Sequence, residues 1–236
     1  MSILDNIPLV LANRANYGTT RRAADIQFLV YHYTGNDGDN DANNAAYFRD
    51  HAVEASAHYF VDDDSITQSV PDLYVAYAVG GRLWSDVGRT GGGTMYGVVT
   101  NRNSLSIEMC DTRRDGTLQA TEATMARAAA LGRALMDKYQ IPLERVCRHF
   151  DVTGKHCPAY LMDAGKWAQF KARLEKEDED VKIYHWFDDM PDWARKSAEK
   201  AYKKGVITAD PQTNAVSIYE SNLQTLVILD RLGLLD

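Results

Sequence analysis

Strand-like runs of apolar residues occupy the first half of the chain. Residues 26–33 are almost continuously apolar and too short for an average helix, so they predict a strand buried on both faces. Residues 58–61 and 66–70 flank the polar stretch 62–65 and predict a hairpin. Apolar and polar residues alternate over 105–110, which predicts a strand with one apolar face. Together these runs predict a β-sheet at the centre of the fold.

Helical spacing of apolar residues appears between and after these strands. It covers residues 44–53, the segment from Thr121, which can cap a helix, to Tyr139, and residues 161–174. Residues 39–45 are polar and turn-rich, and predict a loop before the first of these helices. The mixture favours an α/β domain with a central mixed β-sheet flanked by helices.

A short charged run separates these elements from the end of the chain. Residues 175–180 (EKEDED) are all acidic or basic, which is typical either of an exposed helix end or of a linker. Because the composition changes after the run, we predict three parts. They are a main domain over 1–176, a charged linker over 177–182 and a small helical module over 183–236.

The module 183–236 shows two helical patterns after an aromatic-rich entry. The first helix is predicted over 191–204, before Gly205, and the second over 219–232, before Gly233. Some fifty residues with one short core are marginal alone, so we expect the module to dock on the main domain or to self-associate. Its apolar residues are Trp186, Phe187, Trp193, Tyr202, Leu223, Leu226, Val227, Ile228 and Leu232.

Composition argues against several kinds of partner. The net charge of −7 disfavours nucleic acid, because a nucleic-acid binder needs a basic stripe. No apolar run approaches the ~20 residues of a membrane span, and the first residues lack the basic start of a signal peptide. Three cysteines cannot form a disulfide framework, and we expect Cys110 and Cys147 to be buried free thiols.

The segment 148–158 (RHFDVTGKHCP) carries candidate metal ligands. It contains His149 and Cys157, and imidazole and thiolate are preferred ligands of zinc. A further imidazole is available at His32, near the end of the apolar run 26–33. Two histidines and a cysteine leave the fourth tetrahedral position for water, which is typical of a catalytic zinc site rather than a structural one.

These candidate ligands lie in segments through which the chain resembles the zinc-dependent N-acetylmuramoyl-L-alanine amidases. That family includes phage endolysins, bacterial autolysins and, more distantly, the peptidoglycan recognition proteins. The segments occur in the family's order within about residues 13–174. One such segment would be weak evidence, whereas four in order make a specific match. They are VYHYTGN (30–36), ASAHYFVDDDSITQSVP (55–71), NSLSIEMC (103–110) and RHFDVTGKHCP (148–158).

The resemblance implies a fold, a reaction and a set of site residues. The fold is that of the amidases and peptidoglycan recognition proteins, and the reaction is hydrolysis of the amide between N-acetylmuramic acid and L-alanine in bacterial peptidoglycan. His32, His149 and Cys157 are implied to bind Zn²⁺. Glu108 is implied to move protons and Lys155 to stabilise the oxyanion. Without the resemblance, Glu108 is an ordinary solvent-facing glutamate and Lys155 a solvated loop lysine.

The chain departs from its relatives at two places. Some relatives have a catalytic tyrosine immediately before the position of His58, where this chain has Ala57, so the base role falls on the glutamate. Other relatives carry a histidine in the segment aligned with 76–80, and this chain has none there. We expect that substrate contact to be either lost or replaced, with Tyr77 and Trp84 as the candidate replacements. The resemblance gives His58 a supporting role.

Two other functions stay open at the level of sequence. A recognition protein that binds peptidoglycan without cleaving it would usually lack the cysteine ligand, which this chain keeps. A cysteine peptidase could use Cys157 and His149, but His32 would then have no role. Without a signal peptide, an amidase of this kind is expected to be made in the cytoplasm and to act on the cell wall after release. The module 183–236 would then bind the wall or join subunits.

Overall fold

A computed structural model describes residues 3–175 and 183–235. Contacts between Cα atoms divide the chain into two units, Met1–Lys176 and Glu177–Asp236. Each unit has an apolar core of its own. The linker predicted over 177–182 lies outside the described residues.

A mixed five-stranded sheet organises the first unit. The strands of this unit are β1 Tyr17–Thr20, β2 Phe28–Tyr33, β3 Tyr59–Val61, β4 Ile66–Gln68, β5 Tyr74–Ala76, β6 Ser104–Met109 and β7 Val146–Arg148. Its α-helices are α1 Asp41–Asp50, α2 Val87–Thr90, α3 Glu122–Tyr139, α4 His149–Thr153 and α5 Ala164–Glu175. The sheet order is β4-β3-β6-β2-β7, with β4 antiparallel and the other neighbours parallel. β1 and β5 form a separate antiparallel pair.

The central strand β2 is buried on both faces, as its continuous apolar run predicts. Successive side chains of a strand point to opposite faces. Leu29 and Tyr31 therefore join the main core, to which α3 and α5 contribute, while Phe28 and Val30 pack into a second cluster. The Tyr31 hydroxyl donates a hydrogen bond of 3.0 Å to the carbonyl of Ala128 in α3. The predicted α/β fold, a mixed sheet flanked by helices, is confirmed.

Strand β6 has the predicted apolar face, but its polar face is not open to solvent. Leu105 and Ile107 lie in the main core. On the other face, Ser106 is buried and its hydroxyl accepts a hydrogen bond of 3.0 Å from the backbone N–H of His58. Small polar side chains on this face therefore pair inside the fold, so alternation along the strand does not mark a solvent boundary here.

Helix α1 begins earlier than the pattern over 44–53 predicts. It starts at Asp41 because the side chain of Asn40 caps it, accepting a hydrogen bond of 2.8 Å from the backbone N–H of Asn43. The first turn is polar, so the spacing of apolar residues conceals it. The loop predicted over 39–45 is therefore correct only at residues 39 and 40, and it is wrong over 41–45, which belong to the helix.

Helices α3 and α5 agree more closely with the pattern. Thr121 caps α3 as predicted, through a hydrogen bond of 3.1 Å from the backbone N–H of Thr124. The helix predicted over 161–174 begins at Ala164, because a 3₁₀ turn at Ala159–Leu161 precedes it. A tight turn of this kind continues helical spacing without belonging to the α-helix.

The second unit contains the two helices that the sequence predicts, each within one residue at either end. Its elements are β8 Ile183–Tyr184, α6 Asp192–Lys203, β9 Ile218–Tyr219 and α7 Glu220–Arg231. Ala194, Ala198 and Ala201 of α6 share a core with Leu223 and Val227 of α7. Other apolar side chains of this unit are exposed, namely Trp186, Trp193, Tyr202, Val206, Tyr219, Ile228, Leu232 and Leu234. Within the described residues, no helix has the length and apolar character needed to cross a membrane.

Candidate metal centre

Two parallel strands bring His32 and Glu108 side by side. His32 of β2 lies directly opposite Glu108 of β6 in the register of the sheet. Both stand near the carboxyl ends of their strands, where open α/β sheets commonly bind ligands. The His32 side chain is only 1% exposed, and Oε1 of Glu108 lies 3.8 Å from its Nδ1.

The neighbouring strand β7 leads into the other two predicted ligands. It runs parallel to β2, and α4 follows it directly, so that His149 is the first residue of α4. The chain then returns, and the carbonyl of Cys157 accepts a hydrogen bond of 2.9 Å from the backbone N–H of Phe150. His149 and Cys157 are 5% and 2% exposed. This return brings the thiol back to the start of α4.

The structure brings His32, His149 and Cys157 together, and we call these three residues the ligand cluster. One ligand atom from each lies within 4.8 Å of the others. Sγ of Cys157 is 3.8 Å from Nδ1 of His32, and the two imidazole rings are 4.7 Å apart. Nε2 of His32 and Nδ1 of His149 are buried without a hydrogen-bond partner in the described part of the chain. Because buried polar atoms are normally paired, the cluster fits a bound metal ion.

The electrostatics of the cluster favour the metal-binding forms of its histidines. Burial, aided by His149 and Lys155, lowers the pKa of His32 well below its usual value. Burial, followed by Lys155, lowers the pKa of His149 to about 4. Both imidazoles are therefore neutral near pH 7, as metal ligands must be. Burial and the Glu108 carboxylate raise the pKa of Cys157, and a coordinated metal would oppose this because it deprotonates a thiol.

The loop that carries the cluster is fixed by an ion pair and a glycine. Arg148 donates to the carboxylate of Asp151 through its backbone N–H at 2.8 Å and its guanidinium at 2.6 Å. The same guanidinium donates to the carbonyl of Leu161 at 2.6 Å. Gly154 has a φ of +82°, and a Cβ there would overlap with Val87. Glycine therefore suits this position for both its backbone angle and its lack of a side chain.

The segment 84–95 packs against the same loop. The backbone N–H of Trp84 donates to the carbonyl of Thr153 at 2.8 Å. Nε2 of His156 lies 3.0 Å from a carboxylate oxygen of Asp86, and the rings of Trp84 and His156 are 5.3 Å apart. Sequence reasoning missed Asp86, since its partner is 70 positions away and no local pattern indicates the pair.

One cavity lies next to the ligand cluster, and a second lies next to Glu108. Lys155 is exposed and lines a cavity of about 460 Å³ together with His149. Tyr77 and Trp84, the predicted substrate contacts, line the same cavity. Glu108 lines a separate cavity of about 570 Å³. A substrate bound beside His149 therefore has room next to Lys155.

His58 lies outside the ligand cluster, in a buried polar network. Its Nε2 accepts a hydrogen bond of 2.8 Å from the guanidinium of Arg21, and its Nδ1 is 2.9 Å from the hydroxyl of Ser106. Burial, followed by Arg21, lowers the pKa of His58 to about 3, so the ring is neutral. These bonds tie the start of β3 to β6, which agrees with the expected supporting role.

Comparison with known proteins assigns the chain to a family. The sequence profile of the N-acetylmuramoyl-L-alanine amidases matches residues 22–160, which is more than half of the chain. The chain belongs to this family, as the four segments of the sequence predict.

Individual relatives agree with this assignment. A probable N-acetylmuramoyl-L-alanine amidase of Bacillus licheniformis is 32% identical over 159 residues, covering 65% of this chain and 42% of the relative. The amidase BlyA of Bacillus subtilis is 34% identical over 157 residues, covering 64% of this chain and 41% of the relative. The solved structures of the XlyA catalytic domain and of PlyL each show 28% identity and a TM-score of 0.55. Each comparison covers 72% of this chain, together with 99% of the XlyA catalytic domain and 96% of PlyL. The chain thus spans less than half the length of these curated relatives, but nearly all of the solved domains.

Proposed function

We propose that the chain is a zinc-dependent peptidoglycan hydrolase that cleaves the amide between N-acetylmuramic acid and L-alanine of the stem peptide. The observation that carries this proposal is the ligand cluster, whose three ligand atoms lie within 4.8 Å of one another beside a cavity. The relatives are named as N-acetylmuramoyl-L-alanine amidases, which supports the choice of substrate.

Zinc is the metal that the donor set suits best. Two imidazole nitrogens and one thiolate are preferred zinc ligands, and three protein ligands leave a position for water or substrate. We assign these roles to His32, His149 and Cys157. When bound, zinc would supply a Lewis acid that polarises the scissile carbonyl and makes water more acidic.

Glu108 is the residue that we propose moves the protons. Its side chain is 20% exposed, and its Oε2 has no hydrogen-bond partner within the described ranges. Burial raises the pKa of Glu108 to about 7, although the charge of Lys155 acts in the opposite direction. A carboxylate that titrates near neutral pH can accept a proton from the attacking water and pass it to the leaving amine.

Lys155 is the residue that we propose stabilises the developing oxyanion. Its ammonium lines the cavity that His149 also lines. In residues 3–175 and 183–235, no carboxylate forms an ion pair with it, so its charge is available to a substrate. A fixed cation beside the reacting carbonyl would stabilise negative charge on the carbonyl oxygen more in the transition state than in the ground state.

A cysteine peptidase is disfavoured by the state of the thiol. Cys157 is 2% exposed, and burial raises its pKa, whereas a nucleophilic cysteine needs an accessible thiolate. In a cysteine peptidase that used Cys157 and His149, the nearby His32 would also have no role. A recognition protein without activity is disfavoured because all three ligands are retained.

Dependence on zinc is the first test of this proposal. The purified full-length chain is expected to hold about one zinc ion per chain, because the cluster supplies the ligands of a single site. Chelation should abolish hydrolysis of peptidoglycan, and added zinc should restore it. Full activity in a metal-free preparation would sink the proposed mechanism, and zinc-bound protein that binds peptidoglycan without cleaving it would favour a recognition protein.

For the small module we propose targeting or association. The chemistry is assigned to residues 1–176, while residues 183–236 bind the cell wall or join subunits. Trp186, Trp193 and Leu232 are among the exposed apolar side chains of this module, and clustered exposed apolar surface commonly marks an interface. In a phage or prophage endolysin, or in an autolysin, such a module would hold the enzyme at the wall after its release.

Truncation separates these two roles. A chain ending at Lys176 is expected to bind zinc and to cleave small muropeptides at a rate similar to that of the full chain. It should lose much of its activity on intact cells, as measured by the turbidity of a cell suspension, or change its oligomeric mass, as measured by light scattering. If the truncated chain fails to fold or to cleave muropeptides, the second unit is part of the catalytic core and the proposed boundary is wrong.

A further inference from the structure

Cations line a groove that extends from the ligand cluster. Lys155 and Arg82 line the cavity of about 460 Å³ next to His149, and Arg14 and Arg102 line a larger cavity of about 720 Å³. Four residues line both cavities, so the two lie side by side, and we call them together the basic groove. The shared residues are Tyr77, Gly80, Gly81 and Asn101.

Three of the four cations have no acidic partner among the described residues. Lys155, Arg82 and Arg14 form no ion pair with any residue that the structure describes. Arg14 instead donates a hydrogen bond of 2.6 Å to the carbonyl of Tyr17 and lies over the ring of that residue. In a chain of net charge −7, unpaired cations gathered along one groove favour an anionic ligand.

The acidic residues near the groove leave this charge largely uncompensated. Arg102 has only a 3.9 Å contact with Asp25, and its side chain is 63% exposed. Glu54 is the one acidic residue among the described residues that line either cavity. Four cations and one carboxylate therefore line the basic groove in the described part of the chain.

The wall that carries these cations is held in place by buried hydrogen bonds. Oδ1 of Asn101 accepts from the backbone N–H groups of Ala78 and Val79 at 3.0 and 2.7 Å. The buried guanidinium of Arg21 donates to the carbonyls of Asn101 and Arg102 at 3.2 and 2.9 Å. The basic groove is thus formed before any ligand binds, which reduces the entropy lost on binding.

The separate cavity that Glu108 lines has the opposite character. It is lined by Glu108 and Asp39, with amides such as Asn43, and no lysine or arginine among the described residues lines it. The cations and the carboxylates therefore line different cavities, with cations beside His149 and carboxylates beside Glu108.

We infer that the basic groove binds the acidic stem peptide and that the enzyme prefers stems whose second residue carries a free carboxylate over amidated stems. This inference rests on the proposed function. In that substrate the glycan is uncharged, whereas the residues after L-alanine carry carboxylates. The cations of the basic groove would therefore contact the stem peptide and not the glycan. Charge complementarity of this kind sets orientation and specificity more than total affinity.

The test compares two synthetic N-acetylmuramoyl tripeptides that differ only in isoglutamate or isoglutamine at the second position. With the zinc-loaded full chain at low salt, kcat/KM for the acid is expected to be roughly 5-fold higher, mainly through KM, as one exposed ion pair permits. Arg82→Gln and Arg14→Gln should bring this ratio towards 1. Arg49→Gln should leave it unchanged, because Arg49 pairs with Asp50 at 2.7 Å and does not line the groove.

Three results would overturn the inference. Equal kcat/KM values for the two substrates in the parent chain would show that the groove does not sense the carboxylate. A ratio that survives a triple variant with Arg14→Gln, Arg82→Gln and Arg102→Gln would assign the preference to residues other than the arginines of the groove. If neither tripeptide is cleaved by zinc-loaded protein, the proposed function itself fails, and this outcome is distinct because no ratio can then be measured.

Discussion

Replacing Cys157 by serine is expected to remove most of the bound zinc and most of the activity. The thiol is 2% exposed, and its sulfur lies 3.8 Å from Nδ1 of His32, inside the ligand cluster. A serine hydroxyl stays protonated and is a poorer zinc ligand than a thiolate. The loss of zinc affinity should exceed the roughly 10- to 100-fold that follows removal of an outer-shell partner. Metal analysis after dialysis and the rate of peptidoglycan hydrolysis measure both effects.

Cys110→Ser is the matched control for this substitution. Cys110 is a buried free thiol outside the ligand cluster, and its sulfur already accepts a hydrogen bond of 3.5 Å from the side chain of Asn44. A serine there should keep the zinc and the activity. If Cys157→Ser retains zinc as well as this control does, the metal is held elsewhere.

Replacing Glu108 by alanine is expected to keep the zinc and to slow hydrolysis by on the order of 100-fold or more, as loss of a general acid–base group usually does. The carboxylate is not one of the three ligands, and its Oε1 lies 3.8 Å from Nδ1 of His32. Its Oε2 has no hydrogen-bond partner in the described part of the chain, so removing the side chain breaks no buried hydrogen bond at that atom. Zinc content, melting temperature and kcat together separate a loss of chemistry from a loss of folding.

Glu108→Gln provides the companion variant. It preserves the shape of the side chain but cannot accept and return a proton, so it should be as slow as the alanine variant. Activity close to that of the parent in either variant would mean that another group acts as the base.

The main parts of the site could be predicted because they lie on a short strand and one loop. The run 26–33 indicates a buried strand, and a histidine near its end needs a partner. The segment 148–158 carries two further candidate ligands within nine residues. Once the strands are parallel neighbours, His32 and Glu108 must meet, as they do in the register of the sheet.

Other features depend on contacts that no local pattern contains. The pair of Asp86 and His156, and the buried contact of Arg21 with His58, join distant parts of the chain. The basic groove likewise gathers arginines from separate loops, so their common surface exists only in the folded chain. The early start of α1 was missed for a different reason, because its first turn is polar and depends on the Asn40 cap.

Identification of the new end groups in digested peptidoglycan tests the central claim most directly. If the chain is an N-acetylmuramoyl-L-alanine amidase, digestion of purified peptidoglycan by the zinc-loaded protein should release stem peptides with free L-alanine amino termini. The digest should contain no new reducing sugars. New reducing ends, without free L-alanine amino termini, would show that a glycosidic bond is cut and would contradict the proposed reaction.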